Sequence, residues 1–245
     1  MSRYTVSDAL VLRRSPLPNG DVIVTLLSEH GKWRAVARKG RLPGGNLARL
    51  SLFHDVTVQA YRRRDDDLAV LTQVRLNGAL GGLTRPEAYP YAHLLAELAD
   101  ALTVDAYVGE RLVAVVASGL RGVATHDDPE AVALAYAWRL IGLAGLAPHI
   151  EGGERPACAA CSAPASILAT ASGTVRCAEH GDGPRDVWLG DDGAVELARV
   201  VRGPLRRAVE QPPLQRGRAW RALLGYVREH VGELRALRSL VQAEP

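Results

Sequence analysis

The sequence predicts an α+β, multidomain chain in which a small N-terminal β-barrel precedes an α-helical bundle that carries an inserted element. Short runs of Val, Leu and Ile, separated by turn residues, fill the first 80 residues. Apolar residues then recur every three or four positions, as in amphipathic helices. All three cysteines lie in one short stretch near position 170. We therefore expect a barrel at 1-80, a first helical part at 81-150, the insertion at 151-190 and a second helical part at 191-245.

The composition is that of an ordinary globular chain. Its 245 residues are 47% apolar and 23% charged, which excludes collagenous, disordered and coiled-coil classes. No apolar run approaches the roughly 18 residues of a membrane span, and the N-terminus lacks the features of a signal peptide. We expect a cytoplasmic protein with no membrane partner.

The net charge of +3 conceals an uneven distribution. Residues 1–80 carry 13 Lys and Arg against 7 Asp and Glu, whereas residues 81–157 carry 5 against 10. Of the 30 basic residues, 28 are arginines, whose rigid guanidinium suits phosphate, although a codon bias explains such an excess equally well. An anionic partner is thus expected at the first third of the chain.

Five short strands are predicted in this first third. They are Leu10–Leu12, Val22–Leu27, Trp33–Ala37, Val56–Tyr61 and Leu68–Val74. Their number and spacing favour a small barrel, because closing the sheet removes its exposed edges.

The segment GKWRAVARKGR, residues 31–41, is the most informative in the barrel. Strand alternation turns Ala35 and Ala37 inward together with Trp33, for which base stacking is the alternative to a core position. The alternation turns a row of cations outward, and the charge continues into a glycine-rich loop. These basic residues are Lys32, Arg34, Arg38, Lys39 and Arg41. Such a row is a candidate track for a phosphate backbone, and a solvated outer face is the alternative.

The helical parts are marked by periodicity and by caps. Helices are predicted around residues 91–102 and 110–121, and a third after Asp128, a good N-cap followed by Pro129 at the first helical position. The last helix is predicted as one element from Gln215 to Val241.

The insertion carries the strongest chemical signal. Cys158, Cys161, Cys177 and His180 form a C-x2-C-x15-C-x2-H pattern around a hairpin predicted at Gly173. This spacing is typical of zinc sites, and four protein ligands would make one Zn2+ per chain structural, not catalytic. A Cys158–Cys161 disulfide or redox pair, or a vestigial site without metal, are the alternatives.

The order of these segments resembles the bacterial recombination mediator family RecO, and most closely its arginine-rich, deinococcal-type members. The similar strings are ALVLRRSPLPNGDVIVTLLSEHGKWRAVARKG, LARLSLFHDVTVQAYRRRDDDLAVLTQVRL, YPYAHLLAELADAL and AWRLIGLAGLAPHI followed by CAAC. The resemblance covers essentially the whole chain. One departure concerns the metal. The second half of the family's cysteine motif is usually CxxC, whereas in this chain it is Cys177-x2-His180.

The resemblance implies an OB-type barrel, a zinc-ribbon-like insertion and a non-enzymatic factor of DNA repair and recombination. Such proteins bind single- and double-stranded DNA and anneal complementary strands. With RecR they help RecA replace single-strand-binding protein, in the RecFOR pathway of the nucleoid. By this resemblance, DNA contact is expected at the basic residues of segment 31–41 named above, and also at Arg62 and Arg63.

From the residues we expect the protein to bind DNA mainly through the phosphate backbone and not through the bases. The barrel has few aromatic candidates for base stacking, namely Tyr4, Trp33, Phe53 and Tyr61. A protein–protein adaptor that binds an acidic partner segment through the basic strand is the alternative function. An enzyme is not expected, because no recognisable nucleophile triad, phosphate-binding loop or paired carboxylate motif is present.

Overall fold

Five strands form the N-terminal third of the computed structural model, which describes residues 4–40, 45–64, 68–103, 110–181 and 183–243. The strands are β1 (Tyr4–Pro16), β2 (Val22–Ser28), β3 (Gly31–Ala37), β4 (Asp55–Tyr61) and β5 (Ala69–Gly78). All five predicted strands are confirmed, and β1 and β5 are longer than expected. A register shift between Val11 and Arg13 bends β1, so that its first half pairs with β4 and its second half with β2.

The strand order of this N-terminal sheet is β1-β2-β3-β5-β4, and β4 returns to pair with β1. All pairings are antiparallel except that of β3 with β5, which are parallel and matched at Ala35–Ala69 and Val36–Val70. Alternate residues point into one apolar cluster, as strand geometry requires. Fully buried members include Val24, Leu26 and Val58.

Seven helices follow in the described residues, after a short 3-10 turn at Gly81–Thr84. They are α1 (Tyr89–Leu102), α2 (Glu110–Thr125), α3 (Pro129–Leu143), α4 (Gly190–Arg202), α5 (Leu205–Glu210), α6 (Arg216–His230) and α7 (Arg235–Ala243). The predicted cap of α3 is confirmed, since the Asp128 side chain accepts from the Ala131 N–H at 3.0 Å. Within the described chain, every helix is too short or too polar to cross a membrane.

The prediction of one helix from Gln215 to Val241 is wrong. The chain forms α6 and α7 with a break at 231–234, where Gly232 adopts a φ of +123°. That conformation lies outside the helical region and is accessible mainly to glycine. The apolar period continues across the break, with Val227 and Leu237 both buried, because the two helices pack on the same core.

The insertion folds as a three-stranded sheet made of β6 (Ile167–Ala169), β7 (Thr174–Arg176) and β8 (Val187–Trp188). The hairpin predicted at Gly173 is confirmed, and this glycine has a φ of +66°. Leu168 and Val175 are fully buried in the same cluster as the helices. The insertion is therefore packed into the helical core.

Candidate nucleic-acid interface and metal centre

The outer face of β3 and the turn that follows it present two arginines to solvent. Arg34 and Arg38 are exposed, whereas Ala35 and Ala37 between them are buried in the sheet core. The predicted alternation of this strand is confirmed at these positions. Arg38 follows Arg34 by four residues, which at the rise of an extended chain places their Cα atoms about 13 Å apart, so their guanidinium groups can reach different phosphates of one nucleic-acid strand.

Lys32 has a different environment from the one expected. Its Nζ lies 3.0 Å from Asp100 Oδ1 and donates to the Asp100 carbonyl at 2.7 Å, and only 17% of its side chain is exposed. The expectation that Lys32 faces open solvent is therefore wrong. The physical reason is that α1 crosses this end of the sheet and supplies a carboxylate, which the strand sequence does not reveal.

Lys39 lies in the turn after β3 with its side chain exposed. Its backbone lies in the left-handed region, with a φ of +51°, and its N–H donates to Asp21 Oδ1 at 2.7 Å. This bond fixes the turn that presents the lysine beside Arg38. Arg41, which was expected to continue the basic row, lies outside the described residues.

Arg62 and Arg63 follow the end of β4, where Arg62 is half-buried and Arg63 is exposed. The preceding residue, Tyr61, is paired in register with Tyr4 at the start of β1. Strand β5 lies between β4 and β3, and Arg63 lines the same surface cleft as Arg38.

The aromatic candidates divide between core and surface. Trp33 is half-buried against the sheet core, which favours its structural role. Phe53 is 4% exposed and packs edge-on against His93 and Tyr89 of α1. Tyr4 remains on the outer face, at a ring-centroid distance of 5.1 Å from Tyr61.

The four predicted metal ligands are brought together by two turns. The Ser162 N–H donates back to the Cys158 carbonyl at 2.9 Å, and the His180 N–H donates to the Cys177 carbonyl at 3.1 Å. Each bond closes a tight turn that directs two ligands to one side. The ligand atoms of Cys158, Cys161, Cys177 and His180 all lie within 4.8 Å of one another.

The donor geometry fits a tetrahedral metal ion. Cys161 Sγ and Cys177 Sγ are 3.7 Å apart, close to the roughly 3.8 Å expected for two thiolates bound to one zinc ion. All three thiols are free, and Cys177 Sγ lies 3.2 Å from His180 Nδ1. A soft Cys3His set at these distances suits zinc, and the cluster is a candidate metal centre.

The thiols of this cluster do not have equal acidity. Burial opposes ionisation of Cys158 and Cys177, but hydrogen bonds to the thiolates, mainly from nearby backbone N–H groups, outweigh it and hold both pKa values below the usual range. Backbone donation lowers the pKa of Cys161 less than burial and the neighbouring thiols raise it, so that pKa lies above its ordinary value. A cation binds the deprotonated form of a thiol, so metal binding at this cluster would release protons.

Comparison with known proteins gives matches to both parts of the chain. The family model for Recombination protein O N terminal matches residues 1–79, and that for Recombination protein O C terminal matches residues 83–240. DNA repair protein RecO of Symbiobacterium thermophilum is 30% identical over 225 residues, covering 85% of this chain and 83% of that protein. DNA repair protein RecO of Bifidobacterium longum subsp. infantis is 32% identical over 193 residues, covering 74% and 75% respectively.

These matches, which cover both the five-stranded sheet and the helical part, place the chain in a family of DNA repair proteins. The chain belongs to the RecO family. The family resemblance read from the sequence is thereby confirmed, while its deinococcal type stays a prediction.

Proposed function

We propose that this chain is a DNA repair and recombination mediator that binds single- and double-stranded DNA through backbone phosphates. The exposed pair Arg34 of β3 and Arg38 of the following turn carries the proposal. Lys39 of the same turn is also exposed, and Arg63 lines a surface cleft together with Arg38. The proposal takes this sheet as an OB-type barrel. Membership of a family whose relatives are named DNA repair proteins supports the choice of DNA as the anion.

Phosphate contacts of this kind need no base sequence. Each Arg or Lys that neutralises a phosphate releases condensed counterions, so affinity falls as salt rises. Two strands held by their phosphates keep their base edges available for pairing. The same surface thus supports annealing of complementary strands.

The finer steps follow the family resemblance. In the proposed reaction the protein acts with RecR and helps load RecA onto DNA coated by single-strand-binding protein. The protein itself breaks no covalent bond, so it is proposed as a non-enzyme, working in the cytoplasm at the nucleoid.

The metal has a structural part in this proposal. Zn2+ would be held by Cys158, Cys161, Cys177 and His180, where it would cross-link two turns and leave no open position for chemistry. Because the insertion buries Leu168 and Val175 in the helical core, a cross-link there stabilises the helical part as well.

An annealing assay tests the proposal. Complementary oligonucleotides coated with single-strand-binding protein are mixed with the purified protein over a salt series, and duplex formation is followed by fluorescence. Faster annealing that weakens with salt is expected. Absence of DNA binding, together with salt-sensitive binding of an acidic peptide, would favour the adaptor function instead.

A further inference from the structure

The outer face of the N-terminal sheet contains a cleft where the ends of three strands meet. It has a volume of about 450 Å³, within the usual range of ligand sites. Its walls come from β1, β4, β5 and the residues that follow β3 and β4. We name this feature the tyrosine cleft, and its principal lining residues are Tyr4, Arg38, Tyr61, Arg63, Leu68 and Val70.

The cleft has an aromatic wall that is open to solvent. Tyr4 is 54% exposed and its ring is tilted by 50° against Tyr61, at a centroid distance of 5.1 Å. Leu68 is 41% exposed and Val70 is half-buried beside them. Large apolar groups grouped on a surface mark a binding site more often than a solvated face.

Cations lie at the border of this apolar wall. Arg38 and Arg63 are both exposed and both line the cleft. Pairing explains how they meet, since Val70 lies opposite both Val36 of β3 and Tyr61 of β4. Each arginine follows one of these partners by two residues.

An aromatic face between two cations matches one unit of a single-stranded nucleic acid. A base offers a flat π-face to the tyrosine rings, while the phosphates before and after it carry the negative charge that arginines bind. In a duplex both faces of a base are covered by its stacked neighbours. An intact duplex therefore cannot fill the cleft as a single strand does.

We propose that the tyrosine cleft holds one unpaired base of a single strand against Tyr4 and Tyr61, while Arg38 and Arg63 hold the flanking phosphates. This inference rests on the proposed DNA-binding function and adds to it a site of single-strand selectivity. Contact with duplex DNA stays with phosphate-binding residues such as Arg34. One held base leaves its neighbours free to pair, so this site is compatible with annealing.

The experiment compares oligo-dT with an abasic strand of the same length and the same number of phosphates. Affinities are measured by fluorescence anisotropy for the wild-type protein, the double variant Tyr4→Leu/Tyr61→Leu and the control Tyr89→Leu. Tyr89 is an exposed tyrosine of α1 outside the cleft. The conservative double variant Tyr4→Phe/Tyr61→Phe keeps both rings, and thermal melting verifies that each variant is folded.

Wild-type protein is expected to bind oligo-dT more tightly than the abasic strand. The double leucine variant should lose roughly 5-fold or more on oligo-dT, by the usual size of one base–aromatic stack, and nothing on the abasic strand. Its salt slope should not change, because no charge is removed. Tyr89→Leu and the phenylalanine variant should bind as wild type does.

Other outcomes distinguish failure of the proposed stacking site from failure of the proposed DNA-binding function. If wild type binds both strands equally and the leucine variant is unchanged, the stacking site is overturned while phosphate-directed binding stands. If wild type binds neither strand, the proposed function itself fails. If the leucine variant keeps its DNA affinity but abolishes self-association of the wild type, the cleft is an interface between copies and the inference is overturned.

Discussion

Lys32 of β3 is paired with Asp100 of α1 through a 3.0 Å contact between Nζ and Oδ1. The lysine also donates to the Asp100 carbonyl at the C-terminal end of that helix, where a cation is favoured by the helix dipole. One side chain therefore joins the N-terminal sheet to the helical part. Its charge is matched within the protein, so we expect Lys32 to contribute little to the proposed DNA contact.

Replacing Lys32 should affect stability more than binding. Lys32→Met removes hydrogen bonds from a charged donor and leaves the half-buried Asp100 without its partner. We expect the free energy of unfolding to fall by about 2 kcal/mol, measured by urea denaturation. The salt slope of DNA binding should equal that of the wild type. A slope reduced by a whole unit would show that Lys32 contacts phosphate after all.

Replacing the exposed arginines should affect binding more than stability. Arg34→Ala and Arg38→Ala should each lower the slope of log K against log salt by about 0.7–0.9, the value for one phosphate contact. Titrations of a fluorescent oligonucleotide over a salt series measure this slope. Arg206→Ala is the matched control, because Arg206 of α5 is an exposed arginine paired with Glu210, far along the chain from the sheet. If all three variants keep the salt slope of the wild type, Arg34 and Arg38 do not contact phosphates.

Removing a ligand of the Cys/His cluster should release the metal and destabilise the protein. Elemental analysis is expected to find about one zinc per wild-type chain, and less than half of that in His180→Ala. Chelation, or His180→Ala, should lower Tm by roughly 5–10 °C, which corresponds to a few kcal/mol in a chain of this length. His149→Ala is the control, since the His149 side chain is exposed and bonds to the nearby Glu151 side chain. Wild-type protein that lacks zinc and melts alike with and without chelator would support the vestigial alternative.

The Asp128–Arg216 pair should make stability depend on acid pH. Hydrogen bonding to the Arg216 guanidinium holds the pKa of Asp128 below its usual range. A carboxyl with a lowered folded pKa stabilises fully above its unfolded pKa of about 4, and this contribution is lost as the pH falls through the folded value. Asp128→Asn keeps the capping oxygen but loses the charge, so we expect a loss of about 2 kcal/mol at pH 7.

The diagnostic result is the pH profile of this difference. The free energies of unfolding of wild type and Asp128→Asn should begin to converge at about pH 4 and should meet below the lowered folded pKa of Asp128, where both side chains are neutral. Asp127→Asn, at the exposed neighbouring position, should follow the wild-type curve. A gap that stays constant down to pH 2 would mean that the pair contributes through packing, not through charge.

Local patterns predicted the elements well, because their causes are local. The alternation around Ala35 and Ala37, the cap at Asp128 and the turn at Gly173 each depend on a few adjacent residues. The Cys/His cluster could also be predicted, because its four ligands lie on two short turns that are close together in the sequence.

Local patterns could not predict contacts between residues that are far apart in the sequence. The partner of Lys32 lies 68 positions away, and the meeting of Tyr4 with Tyr61 depends on the pairing of β1 with β4. The scarcity of aromatic residues therefore predicted a surface on which bases do not stack. The pairing of β1 with β4 nevertheless brings two tyrosines together. Strand β8 was missed because two residues carry no periodicity.

The order of the strands has a consequence for how the chain reaches its native state. Strands β1, β2 and β3 pair through short local connections, as do β4 and β5, whereas the pairings β1–β4 and β3–β5 join residues far apart in sequence. Loop-closure entropy makes such non-local pairings late steps of folding. Tyr4 and Arg38 come from the first group, and Tyr61 and Arg63 from the second. A partly folded chain presents all of these side chains but no cleft, so single-strand selectivity would be acquired only at the last step of folding.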